Sequence, residues 1–142
     1  MKLTKKETNP GGKAWIRIIG YLYISMKNNG NDNFNKCHFK LNQNDIQKLI
    51  PNMGYCFATN KITIDGLKVG YMYREIPEDK LDSGWRFFSG TESQIYVDNP
   101  NNTQIYDLNT IANYDKAIIP YLNSLFGSEY ERIDESDIFQ LL

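Results

Sequence analysis

Val69-Gly70-Tyr71-Met72-Tyr73-Arg74-Glu75 and, after a polar connector, Asp82-Ser83-Gly84-Trp85-Arg86-Phe87-Phe88-Ser89-Gly90-Thr91-Glu92 form the stretch from which the fold of this chain is read. In the first limb Leu67, Val69, Tyr71 and Tyr73 alternate with Lys68, Gly70, Met72 and Arg74. That is the period of two of a half-buried strand, with one apolar, aromatic face. The second limb repeats the alternation, with Trp85 and Phe87 on one side and Arg86 and Phe88 on the other. Pro77, Glu78, Asp79, Lys80, Asp82, Ser83 and Gly84 are turn-forming or charged, and they read as a long acidic loop that adds nothing to a core. The stretch is therefore two antiparallel strands, part of a packed sheet with a charged edge. Gly70 and Gly84 mark close backbone packing or a bend.

Upstream, residues 1–13 are polar and end in Asn9-Pro10-Gly11-Gly12, a disordered lead-in. A long strand apolar on both sides follows over 14–25, the Asn- and Gly-rich run 27–33 turns the chain, and 34–41 returns as a second strand. Ile46, Leu49 and Ile50 at helical spacing before Pro51 predict a short helix over 44–50, capped by Asn42 or Asn44. Residues 54–58 and 62–64 read as strands, and Asp65-Gly66 as a turn.

Downstream, Thr91 with Gln94 predicts a capping box opening a short helix over 92–97. Asp98 to Asn102 is a turn and 103–106 a brief strand. Asp107 or Asn109 caps a helix carrying Leu108, Ile111 and Ala112. A further helix is expected from Ala117, with Pro120 in its first turn, Gly127 past its end, and Leu122, Leu125 and Phe126 on its core face. Residues 130–133 suit a last strand. Ile138, Phe139, Leu141 and Leu142 form an apolar end that either docks or awaits a partner. The sum is an α+β fold: a mostly antiparallel twisted sheet with two or three short helices packed on it, in one domain over 14–142.

With 142 residues the chain can bury a core without staples. Ten Tyr, seven Phe and two Trp favour a pleated surface over a bundle. A formal net charge of −1 provides no field that gathers nucleic acid. The ends differ: residues 1–20 hold five Lys or Arg against one Glu, and residues 128–142 hold five Asp or Glu against one Arg. Cys37 and Cys56 fall in no metal-ligand spacing and read as free thiols. No window approaches the roughly 20 apolar residues of a membrane span and no export signal is visible, so a cytoplasmic protein is expected.

Catalytic chemistry is poorly represented. His38 is the only histidine, and on a strand its side chain points away from that of its neighbour Cys37, so the two cannot act as nucleophile and base or share one ion. No metal site and no cofactor motif is found. Arg74, Glu75, Asp82, Arg86 and Glu92 are the one charged constellation. Arg74 and Arg86 could share a sheet face, neutralised by Asp82 or Glu92, either as an ion-pair network fixing the loop or as a binding surface. A carboxylate pair for hydrolysis lacks any defined spacing. Trp85, Tyr71 and Tyr73 read as the buried face of a sheet more simply than as a ligand-stacking site.

Gly70-Tyr71-Met72-Tyr73-Arg74-Glu75, Asp82-Ser83-Gly84-Trp85-Arg86-Phe87, Ser89-Gly90-Thr91-Glu92, Tyr106 to Ile111 and Ile119 to Leu122 together resemble the immunity protein thirty-three-like family, first catalogued as a bacterial domain of unknown function. The resemblance covers about 54–133 and leaves 1–40 outside. It implies a non-enzymatic cytoplasmic antitoxin, the immunity partner of a polymorphic bacterial toxin, which binds that toxin and occludes its active site. The partner-binding residues it suggests are Glu75, Glu78, Asp79, Asp82, Arg86 and Glu92, with Glu75, Glu78, Asp79 and Asp82 as an outward acidic edge set against a basic cleft. Gly70, Tyr73, Arg74, Ser83, Gly84, Trp85, Phe87 and Gly90 would be structural markers of the fold. A small-molecule-binding or regulatory module is the alternative, and a hydrolase a weaker one.

Overall fold

The computed structural model describes residues 38–142. The lead-in over 1–13, the strand over 14–25, the turn at 27–33, Cys37 and most of the strand expected over 34–41 lie outside them; its described end, 38–41, is not a strand. The described elements are β1 (Tyr55–Thr59), α1 (Asn60–Thr63), β2 (Tyr71–Arg74), β3 (Asp82–Phe88), α2 (Gln94–Asp98), β4 (Thr103–Asp107), α3 (Leu108–Tyr114), β5 (Glu129–Arg132) and β6 (Phe139–Leu141). Tight 3-10 turns occupy Gln43–Asp45, Pro100–Asn102 and Lys116–Tyr121. The strands form one six-stranded sheet in the order β4-β1-β3-β2-β5-β6. Every neighbouring pair is antiparallel except β1 and β3, which are parallel. The fold is thus α+β, with a mixed sheet and short helices.

The antiparallel pairing of the two limbs is as the alternation predicts, with Met72 opposite Phe87 and Arg74 opposite Trp85. Both faces of this pair are apolar. Met72, Trp85 and Phe87 join Cys56, Ala58, Ile62, Leu108, Ile111, Ile118 and Leu122 in the main core. Tyr73 and Phe88 pack on the other face with Val97 of α2 and Tyr71. Trp85 therefore does not share a face with Tyr71 and Tyr73, because the period-two pleat separates odd from even positions across the register. Each such wholly buried large side chain contributes about 1.5–3 kcal/mol.

Four local expectations are corrected. The helix over 44–50 is absent: Asn42 caps only the Gln43–Asp45 turn, and Ile46 is already extended. The α3 side chains of Asn109 and Asn113 supply the backbone partners instead, accepting from Leu49 and Ile50 N–H and from Gln47 N–H respectively. An external partner thus outcompetes a helix too short to nucleate alone. Residues 62–64 are not a strand; α1 makes one turn that drops Ile62 into the core. The short helix after Gly90 does form, but Ser93, not Thr91, accepts from Tyr96 N–H at its cap.

The fourth concerns the region after Ala117, where a 3-10 turn carries Pro120 and no α-helix continues. The Leu122 carbonyl accepts from Trp85 Nε1 and Arg74 Nη1, and that of Ser124 from Arg74 Nη1, so these acceptors are taken by the sheet. Leu122 is buried, whereas Leu125 and Phe126 remain exposed. The apolar C-terminus docks in part. Its Phe139 is buried, and β6 adds to β5 as an edge, while Ile138, Leu141 and Leu142 stay exposed. No helix among the described residues is long and apolar enough to cross a membrane.

Candidate functional site

The charged constellation is organised by an irregularity in β3. Tyr55 of β1 lies opposite Asp82 and Phe57 opposite Arg86, so a two-residue step on one strand faces a four-residue step on the other. The surplus is a bulge at Ser83-Gly84-Trp85, with Gly84 at φ 82°. A Cβ at Gly84 would lie 2.2 Å from the Glu75 carbonyl oxygen, so only glycine fits. The bulge satisfies its own backbone. Gly84 N–H donates to Asp82 Oδ1, Trp85 N–H to Ser83 Oγ, and Ser83 Oγ to the Tyr55 carbonyl.

By shortening the strand, the bulge brings Asp82 beside Arg86 on one face. Arg86 donates from Nη1 to Asp82 Oδ1 at 3.0 Å and from Nη2 to Asp82 Oδ2 at 2.8 Å, a bidentate pair. Its Nε donates to Glu75 Oε1 at 3.0 Å and its Nη1 to the Trp85 carbonyl at 2.9 Å. The guanidinium stacks on Phe57, 4.5 Å from the ring centre. Arg86, Glu75 and Asp82 are only 1%, 1% and 5% exposed. Burial by itself would raise the Asp82 pKa, but Arg86 and the Glu78 and Gly84 N–H donors outweigh it and hold the carboxyl below its ordinary value. Burial likewise works against the charge on Arg86, and Asp82 and Glu75 reverse that, so Arg86 titrates above its usual range.

Arg74 lies on the opposite face, since it pairs with Trp85 and not with Arg86. The shared face that the sequence reading offered the two arginines is corrected, because one residue of register separates them. Arg74 instead donates to the carbonyls of Ser83, Leu122 and Ser124 and lies 4.6 Å from the Phe126 ring centre. Trp85, stacked on Phe87, is wholly buried and offers no open ring to a ligand.

Glu92 is also buried, away from both arginines. Its Oε1 accepts from Thr59 Oγ1 at 2.5 Å and from Ser89 N–H, and its Oε2 from Gly90 N–H. It closes the Ser89-Gly90-Thr91 turn against the end of β1. Gly70 completes this junction: a Cβ there would meet the Ser89 carbonyl oxygen at 2.1 Å.

Of the six residues expected to contact a partner, Glu75, Asp82, Arg86 and Glu92 are thus inside, and Glu78 and Asp79 are exposed. The outward acidic edge of four carboxylates is corrected to two, because the bulge turns Asp82 inward and Glu75 follows Arg86. Asp79 is held in place, accepting from Tyr55 OH and from Leu81 N–H.

A second cluster was not found by sequence reasoning. Arg132 pairs with Asp115 and Asp137 and donates from Nε to the Val69 carbonyl, while Asp115 accepts from Val69 N–H. This ties β5 to the residues before β2. Asp115 follows α3 and Arg132 lies in an acidic stretch, and nothing local relates them. Among the described residues no group of three or more His, Cys, Asp or Glu is placed to hold a metal ion. His38 is exposed, and Cys56 is a buried free thiol whose pKa burial pushes well up.

The arrangement holds charge rigidly, with Arg86 and its two carboxylates engaged with one another. A model of the immunity protein Imm33 domain matches residues 56–142, a span that contains the bulge, the buried triad, the Glu92 turn and the Arg132 cluster. No curated protein and no solved structure matches the chain.

Proposed function

The chain belongs to the Imm33 immunity protein family, and we propose that it acts in the cytoplasm as the antitoxin of a cognate bacterial toxin, binding that toxin and occluding its active site. The family match carries this reading. The chemistry of the chain supports it. The buried arginine is neutralised by two carboxylates, and the Glu92 carboxylate is engaged by a turn, so these groups hold the sheet and its loops in shape.

Binding by a preformed sheet needs little ordering, which favours tight association from a modest contact area. The test uses the purified full chain and the toxin domain encoded beside its gene. Co-purification, sub-micromolar binding by calorimetry and loss of toxin activity at stoichiometric chain are expected. Toxin that emerges with nothing bound and retains full activity overturns the proposal.

A further inference from the structure

The first residue of β3, the last of β2 and the first of β5 meet at one end of the sheet, where Arg74 N–H donates to the Ser128 carbonyl and Gly127 N–H to the Arg74 carbonyl. Two loops project there: residues 75–81 and residues 122–128. They carry Ile76, Leu81, Leu125 and Phe126, which are 68%, 71%, 83% and 53% exposed. Large apolar side chains exposed on two loops at the same end of a sheet can form the centre of a contact with another protein.

These loops are also held still. Arg74 ties the second loop to the sheet, donating to the Leu122 and Ser124 carbonyls and to that of Ser83 in β3, and it stacks on Phe126. Asp82 accepts from Glu78 N–H, and Asp79 from Tyr55 OH and Leu81 N–H, so the first loop is pinned to β3 and to β1. Polar bonds thus hold apolar groups out in water. Such preorganisation lowers the entropic cost of binding.

We propose that this end of the sheet is the face that grips the toxin, with Ile76, Leu81, Leu125 and Phe126 as its apolar centre and Glu78 and Asp79 as its acidic rim. The assignment rests on the immunity reading above and gives it a surface. The partner it fits presents apolar side chains bordered by Lys or Arg, since an acidic rim steers and orients a basic one. A second copy is a poorer occupant, because a two-fold interface would bring two copies of the same acidic rim into one contact.

The experiment measures binding of the full chain to the toxin domain encoded beside its gene, using wild type, Leu125→Arg, the double variant Ile76→Arg/Leu125→Arg, and Ile138→Arg at the opposite end. All three positions, Ile76, Leu125 and Ile138, are exposed, so melting temperatures are expected to stay close to wild type. The double variant is expected to weaken binding about a hundredfold, as for the centre of an interface. Ile138→Arg is expected to change it less than about threefold, as for a residue outside the contact.

A double variant that melts like wild type and binds as tightly overturns this assignment while leaving the immunity reading standing, and so does a loss of binding confined to Ile138→Arg. A wild-type chain that does not bind the toxin at all ends both. A chain that dimerises alone, with the double variant monomeric and still toxin-binding, gives the face to self-association and overturns the assignment.

Discussion

Asp82 and Arg86 lie four positions apart on one strand and still form a bidentate ion pair, with oxygen to nitrogen distances of 3.0 and 2.8 Å. A regular strand would hold them roughly 13 Å apart at about 3.3 Å per residue. The Ser83-Gly84-Trp85 bulge compresses the four residues into a two-residue step of β1, roughly 7 Å, which the Arg86 side chain spans. The motif Asp-Ser-Gly-Trp-Arg-Phe is therefore a single device: an acid, a hydroxyl and a glycine that fold the strand, a tryptophan that anchors it, and a base that closes it.

Gly84→Ala places a Cβ 2.2 Å from the Glu75 carbonyl at a φ of 82°. Gly127 also has a positive φ, of 94°, but a Cβ there meets nothing within 4 Å. Alanine at 127 is expected to cost about 1–2 kcal/mol from backbone strain alone. At 84 the clash adds to the strain, and a loss of at least about 3 kcal/mol is expected by urea unfolding. Equal losses at the two sites would show that the bulge is not held by close packing.

Arg86→Met leaves Glu75 and Asp82 buried without their countercharge. A loss of about 3–5 kcal/mol is expected. Replacing both carboxylates as well, as Glu75→Gln/Asp82→Asn/Arg86→Met, should recover part of it, because the unpaired charges are then gone. Arg86→Lys keeps the charge but not the planar fork, and should fall between wild type and Arg86→Met. If Arg86→Met loses less than about 1 kcal/mol, the triad contributes little to stability.

The pH dependence follows from the sign of the Asp82 shift. Its carboxyl is held below the ordinary value in the folded chain. It therefore stabilises the fold at every pH above the unfolded pKa, about 3.9, and this contribution fades as pH falls through the folded value. The stability difference between wild type and Asp82→Asn should be largest near neutrality and shrink below about pH 4. Chemical denaturation in a pH series measures it. A difference independent of pH would mean that packing, not ionisation, accounts for the role of Asp82.

Much of the sheet was legible. The alternation around Tyr71 and Trp85 pairs two strands, and Asp107 caps the helix bearing Leu108 and Ile111, because those signals are local and periodic. The site was legible as a list and not as a geometry. Arg74 and Arg86 look equivalent until the register sends one to each face. Glu75 and Asp82 look like surface charges until the bulge folds them around Arg86. Ser93 took the cap expected of Thr91, since Thr91 N–H and Oγ1 engage Ser89 instead. Arg132 and Asp115 meet across 17 residues with no motif to announce them.

By itself the sequence determined the fold class, the pairing of β2 with β3 and the family to which the chain belongs, because alternation, caps and an unusual hexapeptide are properties of neighbouring residues. Only the tertiary structure decided which carboxylates face outward and which apolar side chains stay in water. Those outcomes depend on competition for distant carbonyls and on strand register. Leu125 and Phe126 are outside because Trp85 and Arg74 claim the acceptors that a helix would have used, and no reading of residues 117–127 alone contains that fact.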